Sequence, residues 1–319
     1  MEPLKMPQLI FDTDMDTDCD DAGAFAMIAQ AVQQGRAQLL GVIADVVNPY
    51  AAACCEVLCH HYGISCPIGT IYAHEYPENE TDRCTAYRAH SAKMGVRQYN
   101  HLFAQALGKT DRDYPSAARV YRQVLAAAED GSVTIVCVGL LTALEHLLLS
   151  QPDDISPLSG AELMRRKVCR VISMGYPEKE GPNFNWDMDA PGAERFLRDC
   201  PVPVYASGYG TSVITGAHLS SKLPAEHPLR QIYEIWNGEN SGRSSWDLIA
   251  TLYALEPNTT LLRAVPRGTC RYEARVRSYW TQGDRADCEI IPCVSDDVLV
   301  QALNARMIGE ESNESNVDD

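Results

Sequence analysis

Basic residues are scarce in this chain: 27 Lys and Arg stand against 43 Asp and Glu, for a net charge of −16. A nucleic-acid-binding surface needs clustered Lys and Arg, so that class of function is set aside. An acidic surface suits a small neutral substrate or a cation. Long apolar runs are missing too. The longest, residues 133–141, is strand-length, whereas a membrane-spanning helix needs about 20 apolar residues. Residues 1–7 lack the basic start, long apolar centre and small-residue cleavage site of a secretory signal, so the cytoplasm is the expected location. The 12 cysteines include no C-x-x-C pair, and Cys54 and Cys55 are adjacent within a helical pattern. Reduced, buried thiols are therefore expected in place of a disulfide framework. No internal repeat and no linker is visible. One domain is expected over residues 1–309, followed by a disordered acidic tail at 310–319.

What the chain does carry is an alternation of short apolar runs and helical patterns. Residues 8–11 form an apolar run that ends in an acidic cluster, and a helical pattern follows at 22–34. A second run at 38–43 precedes a helix at 49–62. Residues 65–71, 133–138, 168–174 and 202–207 read as further strands, and 142–150 as a helix. This alternation predicts an α/β fold, with a mostly parallel, Rossmann-like central sheet and helices on both faces. Residues 75–110 break the pattern: they are polar and irregular with some helix, and His74, His90 and His101 fall in or beside them. Such excursions in α/β proteins often cover the ligand crevice.

The segment between the first strand and the first helix is the most informative. Asp12, Asp14, Asp16, Asp18, Asp20 and Asp21 place six aspartates within ten residues. Ligands of open α/β sheets bind beyond the carboxyl ends of the strands. Carboxylates crowded there repel one another unless a cation or hydrogen-bond donors compensate. Hard oxygen donors select Ca²⁺ or Mg²⁺ over zinc. The plain alternative is a solvated turn with a capping Asp, but a cap needs only one. Two known motifs fail on the letters. An EF-hand loop needs Gly at its sixth position and Glu at its twelfth. Counting from Asp12 those positions hold Thr17 and Gly23, and from Asp14 they hold Cys19 and Phe25. A haloacid-dehalogenase-type phosphatase needs Asp-x-Asp-x-Thr or Val, and the final position is Asp16 in one register and Asp18 in the other.

The pattern resembles that of the nucleoside hydrolases of the inosine-uridine-preferring type, whose first strand ends in D-x-D-x-x-x-D-D-A-x-A. Asp12-Thr13-Asp14 and Asp20-Asp21-Ala22-Gly23-Ala24 are similar to its two halves. Five residues separate them where the family has three, and Asp16 and Asp18 lie in that longer spacer. Residues 41–48, ending in Asn48, resemble the family's second strand, which ends in a ribose-contacting Asn. Val138-Gly139-Leu140-Leu141-Thr142-Ala143-Leu144 resembles its G-P-L-T-N-L segment, whose Thr carbonyl binds the metal. Met174-Gly175 followed by Asn183-Phe184-Asn185 and Asp189-Ala190 resembles its E-F-N-x-x-x-D-P segment. Ser245-Trp246-Asp247-Leu248-Ile249-Ala250 resembles its late H-D-x-x-A. Five motifs in the family's order are far more specific together than any one alone. Two positions depart from it. Asn183 stands where the family has Glu. Trp246 stands where it has a His that, in one branch, helps the purine leave. Trp gives no proton at neutral pH, but it can stack on a base.

The resemblance implies a Ca²⁺-dependent hydrolase of the N-glycosidic bond in a ribonucleoside or related ribosyl compound. It implies Asp14, Asp21, Asp247 and the Thr142 carbonyl as metal ligands, with Asp14 also the base. Asp20, Asn48 and Asn185 would hold ribose hydroxyls, with Asn183 a further candidate and Trp246 beside the base. The chemistry fits that set. Such a bond breaks through a transition state with oxocarbenium character, so the site must place a water, grip the ribose and stabilise the departing base. Each Asn has an alternative as a turn or cap residue. Trp246 could equally be core, Asp45 could support the site or lie on the surface, and His74, His90 or His101 could supply the missing acid or simply be exposed. The rival reading keeps the same fold as a ribose or nucleoside binder without turnover. The expected partner is a small nucleoside or riboside, with neither nucleic acid nor membrane, and the expected assembly is a homodimer or homotetramer.

Overall fold

The first strand, β1 (Gln8–Thr13), is buried from Leu9 onward, and its apolar centre, Leu9–Phe11, is covered on both faces. Leu9 and Phe11 project into one core with Phe25 and Ile28 of the Asp20–Gln33 helix, and Leu248 and Leu252 of the Trp246–Leu255 helix. Ile10 projects the other way, among Tyr121, Leu125, Leu144 and Leu147 of the Ala117–Ala127 and Thr142–Leu149 helices. Side chains alternate between two apolar layers, so the strand reads as an unbroken apolar run. The structure is a computed structural model that describes residues 6–16, 18–72, 83, 85–94, 99–181 and 183–310.

The further strands are β2 (Gln38–Ala44), β3 (Ile68–Thr70), β4 (Val133–Cys137), β5 (Val168–Met174), β6 (Lys179–Glu180), β7 (Val204–Ser207), β8 (Ile214–Thr215), β9 (Arg243–Ser244), β10 (Leu262–Glu273), β11 (Arg277–Thr281) and β12 (Asp287–Pro292). One sheet has the order β3-β2-β1-β4-β5-β7-β12-β10-β11-β6, while β8 pairs with β9. Neighbours from β3 across to β12 are parallel. β10, β11 and β6 join antiparallel at the far edge. The fold is thus the mostly parallel α/β sheet that the sequence predicts. The strand order reverses between β1 and β4, which opens a crevice beyond their carboxyl ends.

β10, β11 and β12 were not expected from the sequence. β10 carries Arg263, Pro266, Arg267 and Arg271 on largely exposed positions, so its apolar signal is weak. Its join to the sheet is polar. The buried Asp287 carboxylate accepts from the amides of Val204 on β7 (2.8 Å) and Cys270 on β10 (2.7 Å) and pairs with Arg285 (2.7 Å). The polar excursion at 75–110 contains the helices Thr85–Met94 and Tyr99–Leu107. His74 lies outside the described residues, as does the acidic tail beyond Glu310. Most described cysteines are buried free thiols, including Cys54 and Cys55 on the Ala51–His61 helix, but Cys169 and Cys293 are exposed. Among the described residues no helix is long and apolar enough to cross a membrane.

Candidate functional site

Two helix starts meet the end of β1. Asp20 and Asp21 open the Asp20–Gln33 helix, and Asp247 lies in the first turn of the Trp246–Leu255 helix. Helix N-termini favour negative charge, which helps explain how three acids share one buried place. Oxygens of Asp20, Asp21 and Asp247 lie within 4.8 Å of one another. The Thr13 hydroxyl donates to one Asp21 oxygen, and the other Asp21 oxygen is buried without a hydrogen-bond partner. Asp20 accepts from the Asp247 amide at 3.2 Å. Burial, and then the neighbouring carboxylates, push Asp20, Asp21 and Asp247 well above the ordinary carboxylate range. Asp14 is the largest charged contributor to the shift of Asp21, which sets it beside the cluster. An orphaned carboxylate oxygen among buried like charges is the donor set of a hard cation.

These four aspartates line one cavity of about 430 Å³, in the size range of small-molecule sites. Val138, at the carboxyl end of β4, also lines it, and its carbonyl accepts from the Asn185 amide at 2.5 Å. His90, Tyr176, Phe184, Arg243 and Trp246 line it as well. Arg243 donates to both oxygens of Asp18 (2.8 and 2.9 Å), and its guanidinium lies 5.2 Å from the centre of the Trp246 ring. The Trp246 indole N–H donates to the Thr211 hydroxyl at 2.9 Å, so Trp246 is a wall residue and not plain core.

The structure sorts the residues expected at the site. Asp14, Asp20, Asp21, Asn185, Trp246 and Asp247 come together around the cavity. Thr142 is not among the described residues of its wall. It begins the Thr142–Leu149 helix, buried, with its hydroxyl on Asp189 (2.7 Å). Val138, four residues earlier in the same motif, is the residue of that segment that lines the cavity. Asn48 is also away from the wall: its side-chain oxygen caps the Tyr50 amide at 2.8 Å, and its side chain hydrogen-bonds the Tyr87 hydroxyl. Asn183 clamps a turn, accepting from the Tyr176 amide (3.3 Å) and donating to the Tyr176 carbonyl (2.9 Å). These two amides serve the turn roles that were their alternatives. His101 hydrogen-bonds Gln105 and packs on Tyr50.

The longer spacer has its own partners. Asp18 is held by Arg243. Asp16 is buried and accepts from Tyr87 (2.7 Å), Ser91 (2.9 Å) and Asn100 (3.0 Å), all from the two helices of the 75–110 excursion. Beneath the site, Asp12 is hydrogen-bonded to Asp45 and held by Tyr121, and burial pushes it up to about 6. Asp45 is pushed well above the ordinary range by burial and by Asp12. Asp45 is thus a buried support, not a surface residue. Gly139 is required there: a Cβ would overlap the Asp45 carboxylate and the Asp14 amide. Sequence reasoning missed Val138 as a lining residue, and Tyr176 and Arg243, which belong to no motif it recognised.

No protein-family model matches the chain, and no curated protein matches its sequence. Solved structures do match. A plant nucleoside hydrolase superposes with a TM-score of 0.65 at 14% identity, covering 95% of this chain and 99% of that one. A purine-preferring ribonucleoside hydrolase from Gardnerella vaginalis gives 0.66 at 14% identity, covering 95% and 98%. A type III effector protein solved with adenosine diphosphate ribose gives 0.64 at 13% identity, covering 96% and 94%.

Proposed function

On this chain, which has the fold of the nucleoside hydrolases, we propose that the acidic cavity performs Ca²⁺-dependent hydrolysis of the N-glycosidic bond of a ribonucleoside or related ribosyl compound. The observation that carries the reading is the convergence of Asp14, Asp20, Asp21 and Asp247 at the carboxyl end of β1. A fold buries such a group only by protonating it or by supplying a compensating charge. The residues fit a calcium ion. Asp14, Asp21 and Asp247 would hold it, and the Val138 carbonyl takes the place first given to Thr142. Bound there, calcium supplies a positive charge that orients a water and the ribose 2′ and 3′ hydroxyls.

The chain's own groups supply the remaining steps. Asp14 accepts a proton as the water adds to the anomeric carbon. Asp20 has one oxygen on the Asp247 amide and offers the other to a ribose hydroxyl. Asn185, fixed through Val138, lies where it can hold another. The half-buried Trp246 and the Phe184 ring give the departing base apolar faces to lie against. Asn48 and Asn183 are left out of this set, since their side chains are spent on Tyr50, Tyr87 and Tyr176.

Incubation with a panel of ribonucleosides in millimolar Ca²⁺, followed by chromatography of free base and ribose, tests the reading. Release of both is the expected result. One observation favours a second reading, a binder of ribosyl compounds without turnover: Trp246 replaces the family's His. Calorimetric binding of a nucleoside with no product from any of the panel would establish the binder and overturn the hydrolase.

A further inference from the structure

The cavity lacks a proton donor at the position the family uses, yet a base leaving as an anion needs one. We infer that His90 is the leaving-group acid, and that Asp16, in the lengthened spacer, is a positioning residue that fixes the helix carrying it. The inference rests on the hydrolase reading above.

Four observations support it. First, His90 lines the same cavity as Asp14, Asp21 and Asp247, which Phe184 and Trp246 line as well. Its ring meets Phe184 edge-on, with centroids 4.9 Å apart. Second, the Thr85–Met94 helix is docked through its own face. Tyr87 and Ser91 are one helical turn apart, both donate to Asp16, and His90 falls between them in sequence beside that face. Third, Arg83, just before that helix, anchors it further, donating to Asp189 (2.9 Å) and Glu145 (2.6 Å) in the buried interior. Fourth, the other donors of this wall are poorly suited. Arg243 is held on Asp18 and stays charged, being raised further by that partner. The Trp246 N–H is committed to Thr211 and cannot be given up. A phenol releases its proton far less readily than an imidazolium, which exchanges one near neutral pH.

The step balances. As the C1′–N bond breaks, its electron pair goes to the base nitrogen, which takes the proton from the His90 imidazolium. The water's oxygen bonds to C1′, and its proton goes to Asp14. Solvent returns one proton to His90 and removes one from Asp14 before the next turnover. The extra length of the spacer thereby acquires a purpose: it delivers Asp16 to the insertion and leaves Asp14 at the cavity.

The test compares two leaving groups in the wild-type protein and in His90→Gln. One substrate is a ribonucleoside. The other is 4-nitrophenyl β-D-ribofuranoside, whose phenolate departs without a proton. Loss of a positioned acid is worth about 10²–10⁴-fold. His90→Gln is expected to lower kcat on the nucleoside by that factor and to change the nitrophenyl riboside little. Tyr87→Phe, which removes one hydrogen bond to Asp16 away from the cavity acids, is expected to shift the same ratio in the same direction by less. Equal loss on both substrates, or loss on neither, overturns the assignment of His90. Wild type that cleaves the nitrophenyl riboside and no nucleoside also overturns it while sparing the hydrolase reading. Wild type that cleaves neither substrate overturns both.

Discussion

Removing calcium should destabilise the protein in a way that depends on pH, and the size follows from the carboxylate cluster. Oxygens of Asp20, Asp21 and Asp247 lie within 4.8 Å of one another. At an effective dielectric of about 20, two unit charges at that distance repel by about 3.5 kcal/mol, so three ionised acids carry roughly 10 kcal/mol of mutual repulsion. The metal-free protein avoids this by taking up protons, in keeping with the raised carboxyls. The folded state then binds more protons than the unfolded chain. Metal-free stability is therefore greatest below the ordinary carboxylate value of 3.8 and falls as pH rises through the raised folded values. Calcium replaces those protons, so its effect should be large at pH 7.5 and small near pH 5. With free Ca²⁺ at about 100 times Kd, linkage adds about 2.7 kcal/mol, a rise in Tm of roughly 5 °C for a chain of this size. Thermal melts of chelated protein titrated with Ca²⁺ at both pH values are the assay, with proton release followed in weak buffer. Asp247→Asn leaves one ionised pair of the three. Its metal-free form should melt no lower than wild type and should not respond to Ca²⁺. Absence of a calcium shift at pH 7.5, or an undiminished shift in Asp247→Asn, would refute the reasoning.

Three further outcomes are expected. Asp14→Ala should abolish turnover and Asp14→Asn weaken it severely, beyond the ~10²–10⁴-fold of acid–base loss alone; a near-normal rate in either variant moves the base elsewhere. Ribonucleosides should be cleaved with far higher kcat/KM than their 2′-deoxy counterparts, because a site built to bond a hydroxyl leaves its own groups unpaired when that hydroxyl is missing; equal values would remove the ribose role of Asp20 and Asn185. Asp287→Ala should cost about 3–5 kcal/mol in denaturant unfolding, since it takes the carboxylate from the half-buried Arg285 and strands two buried amides at the β7–β12–β10 junction; a cost below about 1 kcal/mol would mean that junction is held by its apolar contacts.

Much of the site was legible because its chemistry resides in side chains adjacent in sequence. Six aspartates after an apolar strand point to the crevice beyond its carboxyl end, and Asp14, Asp20 and Asp21 line one cavity there. The departures from the expected placement are of a different physical kind. Which residue of a strand-to-helix turn faces a cavity leaves no mark in the letters: of the segment 138–144, Val138 lines the cavity, while Thr142 is buried against Asp189. Asn48 and Asn183 have side chains that serve a turn as readily as a ligand, and only their orientation distinguishes the two. Asp16 could not be interpreted before its partners Tyr87, Ser91 and Asn100, some 70 to 85 residues distant, were known. The antiparallel edge was missed for a related reason. β10 is held to the sheet by main-chain bonds and the Asp287–Arg285 pair, so little apolar periodicity was needed to keep it there.

The most direct test of the central claim is a crystal structure of the protein soaked with Ca²⁺ and ribose. The account predicts one calcium ion in the cavity held by Asp14, Asp21, Asp247 and the Val138 carbonyl, with the ribose 2′ and 3′ hydroxyls on the ion and Asp20 and Asn185 beside them. A cavity that takes up no ion at millimolar Ca²⁺, or an ion bound away from these four groups, would contradict it.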